Sequence, residues 1–442
     1  MDFSLGEAQT ELAGLARKIL VERDTAERQW ADLAAAGVLA AGLPEPLGGA
    51  GLGFLEQCSV LAEVGRATSQ VPYLASVVLG AGAIASFGHP DQQRRWAGPA
   101  GDGSLVLTAA LSEEDGDDPS SPSARAERDG GRWRLSGVKT AVPAAARADL
   151  MLVPATAASA EAASTADEVL VFLVEPSDNG VTVQPQALTD GADAGRLILD
   201  GVALDDSRVL GPRGRGAEIA NWLVSRGTVG LCAEQAGVAE RALELTTQYA
   251  RSREQFGRPI GSFQAVAQRL ADAYIDVEAV RLTMWQAAWL LAARPPDDAE
   301  VAAAVATAKF WAADAGHRVA HTAVHVHGGM GIDTSYPVHR YFTAAKRAEF
   351  TLGGATAQLR RLGDLLATAL PPMRRMRIRA GKSEPERAQG SLCPRPASRA
   401  ASGCPPAGGG NPPPGAGLRG PRGPIMRTTG HAEVIRRRRW AA

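Results

Sequence analysis

Aromatic residues make up only 5% of this 442-residue chain, and cysteine occurs four times. Cys58 and Cys232 lie in apolar helical patterns and read as small core residues, whereas Cys393 and Cys404 fall in a Pro/Gly-rich tail. No C-x-x-C pair is present, which removes zinc-knuckle and dithiol-redox readings. Neither sign of charge is in excess: 47 Lys and Arg stand against 48 Asp and Glu, for a net charge of −1. Nothing therefore favours nucleic acid or an anionic membrane as the main partner. No apolar run is long enough to span a bilayer, and no basic-then-apolar leader opens the sequence. A soluble protein of the reducing cytoplasm is the expectation. With 45% hydrophobic residues, the chain can build two or three domains with sizeable cores.

The period of the apolar residues divides the chain into four parts. Residues 1–103 read as helices, with Phe3, Leu5, Leu12, Leu15, Ile19 and Leu20 at helical spacing and a further helix from about Phe54. The glycines of Leu43–Gly51 resemble a phosphate loop, but no strand precedes them and no Lys-Ser/Thr pair follows, so a structural loop is expected. Residues 104–216 carry short apolar runs punctuated by Gly, Pro and Asp: Leu105–Leu111, Arg132–Leu135, Leu150–Val153, Val169–Val174, Val181–Val183 and Arg196–Leu199. That spacing predicts a small antiparallel barrel or sandwich. Residues 217–370 return to the helical period and predict a four-helix bundle with helices near 217–251, 262–293, 298–327 and 338–369. Residues 371–442 are rich in Pro, Gly and Arg and cannot bury enough apolar area to offset the entropy of ordering, so a disordered tail is expected. The whole is an α+β protein.

The most informative stretch runs Arg253-Glu254-Gln255-Phe256-Gly257-Arg258-Pro259-Ile260-Gly261-Ser262-Phe263-Gln264. It joins two helical patterns. An arginine, a glycine-bearing turn and a glutamine then stand near an open helix N-terminus, a ready site for a phosphate or pyrophosphate. A second stretch, Ala323–Ile332, contains His325, Gly328, Gly329 and Gly331. His317, His321 and His325 are four apart on one face, with His327 nearby. That spacing could hold a metal, but only Asp314 is close, and packed or surface histidines with no metal are expected.

The motif R-x-x-F-G-x-P-I-x-x-F-Q resembles that of acyl-CoA dehydrogenases, flavin enzymes that desaturate acyl-CoA thioesters. The resemblance covers about residues 1–370, and the order helices, β domain, helix bundle is that of the family fold. It implies FAD as cofactor, an acyl-CoA thioester as substrate, electron-transfer flavoprotein as acceptor, and a dimer or tetramer of like or unlike subunits. It implies cofactor contacts from Arg253, Phe256 and Gln264, from Ser112, and from His325, Gly328 and Gly329, where the family usually shows Q-x-x-G-G-x-G. His325 stands where that glutamine is expected and can still donate a hydrogen bond. In the family a carboxylate removes the α-proton of the thioester while hydride passes to the flavin, so a base with a tuned pKa is needed.

Three departures matter. The usual base, the Glu of a Tyr-Glu-Gly-Thr stretch, falls here on Leu352, or on Gly353 with a one-residue slip. The alternative base position on the first bundle helix falls near Gly227, beside Arg226. Glu234 and Glu349 remain as spare carboxylates. Where the family has small residues lining flavin and substrate, this chain has Ser112 followed by the acids Glu113, Glu114, Asp115, Asp117 and Asp118, which are expected to repel phosphates and the thioester. Where many members place an aromatic and a threonine beside the flavin ring, this chain has Ala141 and Pro143. The elements for a subunit's own flavin are degraded, and those reaching a neighbour's flavin are intact. Some bacterial members, including those of steroid side-chain breakdown, pair two unlike subunits, and this chain resembles the completing one. A self-sufficient dehydrogenase using Glu234 or Glu349, and a non-catalytic scaffold of the same fold, are the other readings.

Overall fold

The computed structural model describes residues 4–114, 116, 121–157, 168–295 and 298–369. The expected disordered tail at 371–442 lies outside the described residues, as do Phe3, Asp115, Asp117 and Asp118. Helices α1 (Glu7–Glu22), α2 (Ala26–Ala35) and α3 (Phe54–Ala67) are followed by a helical stretch from Tyr73 to Gly101 with wide turns. Strands β1 (Leu107–Ala109), β2 (Arg125–Asp129), β3 (Arg132–Pro143), β4 (Leu150–Ala157), β5 (Glu168–Val174), β6 (Val181–Ala187) and β7 (Asp193–Leu204) come next. Helices α4 (Gly216–Ser252), α5 (Gln264–Ala293), α6 (Ala299–His327), α7 (Val338–Phe350) and α8 (Ala355–Ala369) complete the fold. None of the described helices is long and apolar enough to cross a membrane.

The seven strands form one sheet in which β4 is central, and all but one of its eight residues are buried. β5 runs antiparallel along one edge of β4, while β1 and β2 share the other edge and run parallel to it. The all-antiparallel expectation fails at these two pairings. The reason is that β1 and β2 are short and end-to-end along one neighbour, with Leu107–Ala109 opposite Leu150–Leu152 and Arg125–Ala126 opposite Thr156–Ala157. Strand β2 has no apolar run at all: Arg125-Ala126-Glu127-Arg128-Asp129 buries only Ala126, and its pairing with β3 supplies the order.

The fourth bundle helix, expected to run unbroken over 338–369, is two helices. The chain breaks at Thr351–Gly354, where Leu352 takes φ +57° and Gly353 φ +91°. Two buried side chains hold the break. Lys309 Nζ donates to the carbonyls of Ala348 (2.7 Å) and Glu349 (3.2 Å), and Gln358 Nε2 donates to those of Leu352 and Gly353 (3.2 Å each). These are orphan carbonyls at a helix end, and each needs a donor in a dry site.

Helix α4 is the axle of the molecule. Along it Gly227, Gly230, Ala233 and Gly237 are buried with Leu223, Val229 and Leu231, so neighbours can approach on several sides. The closest approach is to α3. A Cβ on Gly237 would stand 1.8 Å from the Ala62 carbonyl oxygen, and one on Gly65 would stand 1.9 Å from that of Glu234. Alanine at a helix interior gains about 1 kcal/mol over glycine. Forcing two backbones apart in a packed core costs about 1–3 kcal/mol or more. Gly237→Ala is therefore expected to lose about 1–2 kcal/mol net, read as a lowered thermal midpoint by circular dichroism. An unchanged or raised midpoint would show that α3 and α4 can separate freely.

Candidate functional site

A cleft opens where the three parts of the fold meet. Leu74, Ala75 and Leu79 line it from the helical stretch after α3, Leu111, Ser112, Ala141 and Pro143 from the sheet, and Gly227, Leu231, Glu234, Arg347 and Leu352 from the bundle. The sheet wall follows from a bulge in β3 between Lys139 and Val142. There Ala141 takes φ +48°, and its N–H donates to Gln186 Oε1 at 2.6 Å.

Both candidate base positions face this cleft and each other. A Cβ on Gly227 would lie 3.3 Å from Leu352 Cδ1. Neither residue can take up a proton. Glu234, seven residues after Gly227 and on the same side of α4, does line the cleft, but it is engaged. Arg347 donates from Nη2 to Glu234 Oε2 (3.3 Å) and from Nε to Asp190 Oδ2 (2.6 Å), joining α4, α7 and the β6–β7 turn. Burial pushes the Glu234 carboxyl above its usual range, and Arg347 offsets part of that push. Glu349 is not among the residues lining the cleft. Its carboxylate lies 3.1 Å from His317 Nδ1 and 2.9 Å from Lys346 Nζ. Burial works against its charged form, but these two neighbours bring its pKa below the usual value.

Of the acids after Ser112, the two that are described, Glu113 and Glu114, do not face the cleft as free charges, which corrects the expected repulsion for these two. Glu113 is turned inward. It accepts from Lys139 Nζ at 2.6 Å, from the backbone N–H groups of Ser123 and Ala124 and from the Ser123 hydroxyl. Glu114 pairs with Arg196 at 2.7 Å. The partners lie 26 and 82 residues away, which no local pattern reveals. Ser112 remains on the cleft wall, its carbonyl held by the Thr140 N–H at 2.9 Å.

The remaining candidate residues meet at one end of the bundle. The end of α4 and the end of α6 are joined by Tyr249, which stacks on His327 with ring centroids 4.3 Å apart. Helices α5 and α6 run antiparallel, tied by Arg318 to Asp276 at 2.5 Å, so the start of α5 belongs to the same end. Between α4 and α5 the chain makes a two-residue hairpin. Glu254–Gln255 pairs with Arg258–Pro259, and both central residues, Phe256 and Gly257, have positive φ (+54° and +75°). Glycine suits that turn, but phenylalanine there costs about 1–2 kcal/mol. Phe256 is nonetheless 93% exposed, its ring set edge-on to that of Phe263 with centroids 6.1 Å apart. Arg253 is exposed and forms no ion pair among the described residues. Helix α5 begins at Gln264 with no side-chain cap, leaving its first N–H groups open. At the end of α6, Gly328 takes φ +59° and ψ −134°, a conformation reserved for glycine. Open space lies over Gly328 and Gly329, and His325 is exposed. Among the described residues no group of three potential metal ligands converges. His317 stacks on His321 and lies beside Glu349.

Family models for the acyl-CoA dehydrogenase N-terminal, middle and C-terminal domains match residues 7–104, 108–202 and 214–366. The chain belongs to the acyl-CoA dehydrogenase family, FAD-dependent oxidoreductases acting on CH–CH groups. It is 48% identical over 387 residues to the acyl-CoA dehydrogenase FadE27 of Mycobacterium tuberculosis, covering 83% of this chain and 99% of that one. A chain of the ChsE4–ChsE5 complex from Mycobacterium tuberculosis shares the fold with a TM-score of 0.76 at 47% identity, covering 84% of this chain and all of that one. A chain of the Tcur3481–Tcur3483 steroid ACAD G363A variant gives 0.74 at 40% identity, covering 83% and 99%.

The residues present fit FAD unequally. The bundle end offers a guanidinium with no ion pair among the described residues, an open helix start and open space over two glycines, a set suited to a dinucleotide phosphate chain. The cleft offers a hydroxyl at Ser112, no aromatic face beside Ala141 and Pro143, and no carboxylate at either family base position, while the Glu234 carboxylate in its wall is bound to Arg347.

The Glu113–Lys139 pair anchors the strand that carries Ser112, and their side chains are 5% and 0% exposed. Glu113→Gln leaves a buried ammonium unpaired and is expected to cost about 3 kcal/mol near neutral pH. Burial raises the Glu113 pKa, but Lys139 and Ser123 bring it net below the usual carboxylate value. Its contribution is therefore full above the ordinary value near 4.3 and fades as pH falls through the depressed one. Denaturant midpoints of wild type and variant should differ fully at pH 6 and converge in acid. A gap that stays constant into acid would contradict the assignment.

Proposed function

We propose that this chain is the completing subunit of a heteromeric FAD-dependent acyl-CoA dehydrogenase that desaturates an acyl-CoA or steroid-derived CoA thioester. The observation that carries this reading is the division of labour within the chain. Leu352 packs over Gly227, leaving neither base position with a carboxylate. The cofactor-facing end of the bundle, by contrast, is built and uncovered. The similarity to a chain of the ChsE4–ChsE5 complex and to one of the Tcur3481–Tcur3483 steroid ACAD supports the pairing of unlike subunits and a bulky thioester.

FAD, when bound, supplies the hydride acceptor for the Cβ–H bond. The chain's own residues do the following. Arg253 and the open start of α5 at Gln264 neutralise and orient the phosphates of a flavin seated mainly in the partner. Gly328 and Gly329 let backbone approach its ADP part, and His325 donates a hydrogen bond there. Phe256 closes that end against water. The α-proton is taken by a carboxylate of the partner. Electron-transfer flavoprotein is the acceptor, and a dimer or tetramer in the cytoplasm is the working form. The free thiols of Cys58 and Cys232 suit that compartment.

The test is flavin content and turnover for the chain alone and with its partner. About one FAD per two protomers is expected in the complex, with none retained and no turnover by the chain alone. One FAD per protomer, or turnover by the chain alone, would sink the proposal. Arg253→Ala should weaken FAD retention by the complex roughly 10- to 100-fold, as loss of a charge-assisted contact, while leaving the thermal midpoint of the isolated chain unchanged. Equal retention would remove Arg253 from the site.

A further inference from the structure

A second cavity lies directly behind the cleft. It is lined by Gly65 and Thr68 of the α3 end, Thr189 and Asp190 of the β6–β7 turn, Gln235 of α4 and Arg340 of α7. The two cavities share Ser69, Gln70, Glu234 and Arg347 in their walls. One layer of side chains therefore separates them, and its middle is the bridge Asp190–Arg347–Glu234. The bridge is firmly built: the side chains of Asp190, Arg347 and Glu234 are 3%, 25% and 11% exposed, and they come from three different elements.

The sizes make the wall consequential. The cleft in front holds about 110 Å³, and the cavity behind about 530 Å³. Sites for drug-sized ligands take about 300–1,000 Å³. With the bridge in place the front cleft holds less than the volume such sites take. Without it, the path continues into a space of adequate size. Leu74, Leu79, Leu231 and Leu352 give the front cleft an apolar lining, and the bridge residues Glu234 and Arg347 stand in its wall.

We propose that Arg347, braced between Asp190 and Glu234, is a specificity-determining residue that dead-ends this subunit's own cleft and so keeps long-chain or steroid acyl groups out of it. This rests on the completing-subunit reading and deepens it: the chain lacks a base and is also barred to the substrate. The physical logic favours an ion bridge over a bulky apolar plug. Two carboxylates on one guanidinium fix its position by directional hydrogen bonds. A lone Arg347 substitution would leave two buried carboxylates unpaired, which makes the wall hard to lose one step at a time.

The test uses the assembled complex and cis-parinaric acid, an 18-carbon fluorescent fatty acid, as the probe. The variant is the triple Asp190→Ala, Glu234→Ala, Arg347→Ala, which opens the bridge and leaves no charge of it behind. The expected result is one further equivalent of bound probe per copy of this chain, relative to wild type. A folded triple variant, checked by its melting curve, that binds no further equivalent would overturn the proposal. So would a wild-type complex that already binds the extra equivalent. Should the alanine triple fail to fold, Arg347→Ser with Asp190→Asn and Glu234→Gln removes the guanidinium but keeps hydrogen-bonding groups around the gap, and it reads the same way. A triple variant of Asp190→Asn, Glu234→Gln and Arg347→Met keeps the volume of the wall, and its probe count is expected to stay at the wild-type value. Flavin content of the wild-type complex is measured separately, so failure of the barrier and failure of the completing-subunit reading give different results.

Discussion

The interrupted helix between α7 and α8 decides what this chain can do. A helix continuing through residue 351 would carry position 352 round with the helical turn. The break instead sets Leu352 against Gly227. Lys309 and Gln358 hold it by donating to four consecutive-turn carbonyls from two different helices. Those donors are buried, and so is the alternative to them: a helix end with unpaired carbonyls in a dry core. Burial also pulls the Lys309 pKa down, to about 8. The backbone conformation needed to present a group at this place is thus fully built, and the group presented is a hydrocarbon.

Around that point the molecule has two faces of different character. In the cleft, polar groups are consumed by one another: Glu113 by Lys139, Glu114 by Arg196, and Glu234 and Asp190 by Arg347. At the bundle end Arg253 stands exposed with no ion pair among the described residues, next to a turn whose backbone is strained at Phe256. Strain at an exposed aromatic residue has no use within the isolated chain, since Phe256 covers almost nothing there.

Much of the architecture is legible in the sequence, because it rests on local periodicity. Helices α4, α5 and α6 begin and end within a few residues of where the apolar spacing places them, and the runs around Leu150 and Val169 form strands β4 and β5, whose residues are mostly buried. Strand β2 is not legible, since charged residues on a pleated edge look like a loop until β3 lies beside them. The break at Leu352 is masked because Gly353 and Gly354 sit in an otherwise helical pattern, and the buried donors that pin it are distant in sequence. In the cleft, composition alone reads Glu113 and Glu114 as free negative charge, while three dimensions supply their cations. The role of Arg347 is the least visible: one basic residue in a helix gives no hint that it spans two carboxylates 113 and 157 positions away.

The bare end of the bundle has a consequence for how such a protein is made. Phe256, Ile332 and Met330 leave apolar surface open to water at 93%, 73% and 41% exposure. A copy with nothing over this end carries that surface into solvent, where chaperones and proteases select for such features. The lifetime of a copy is thereby tied to how soon this end is covered.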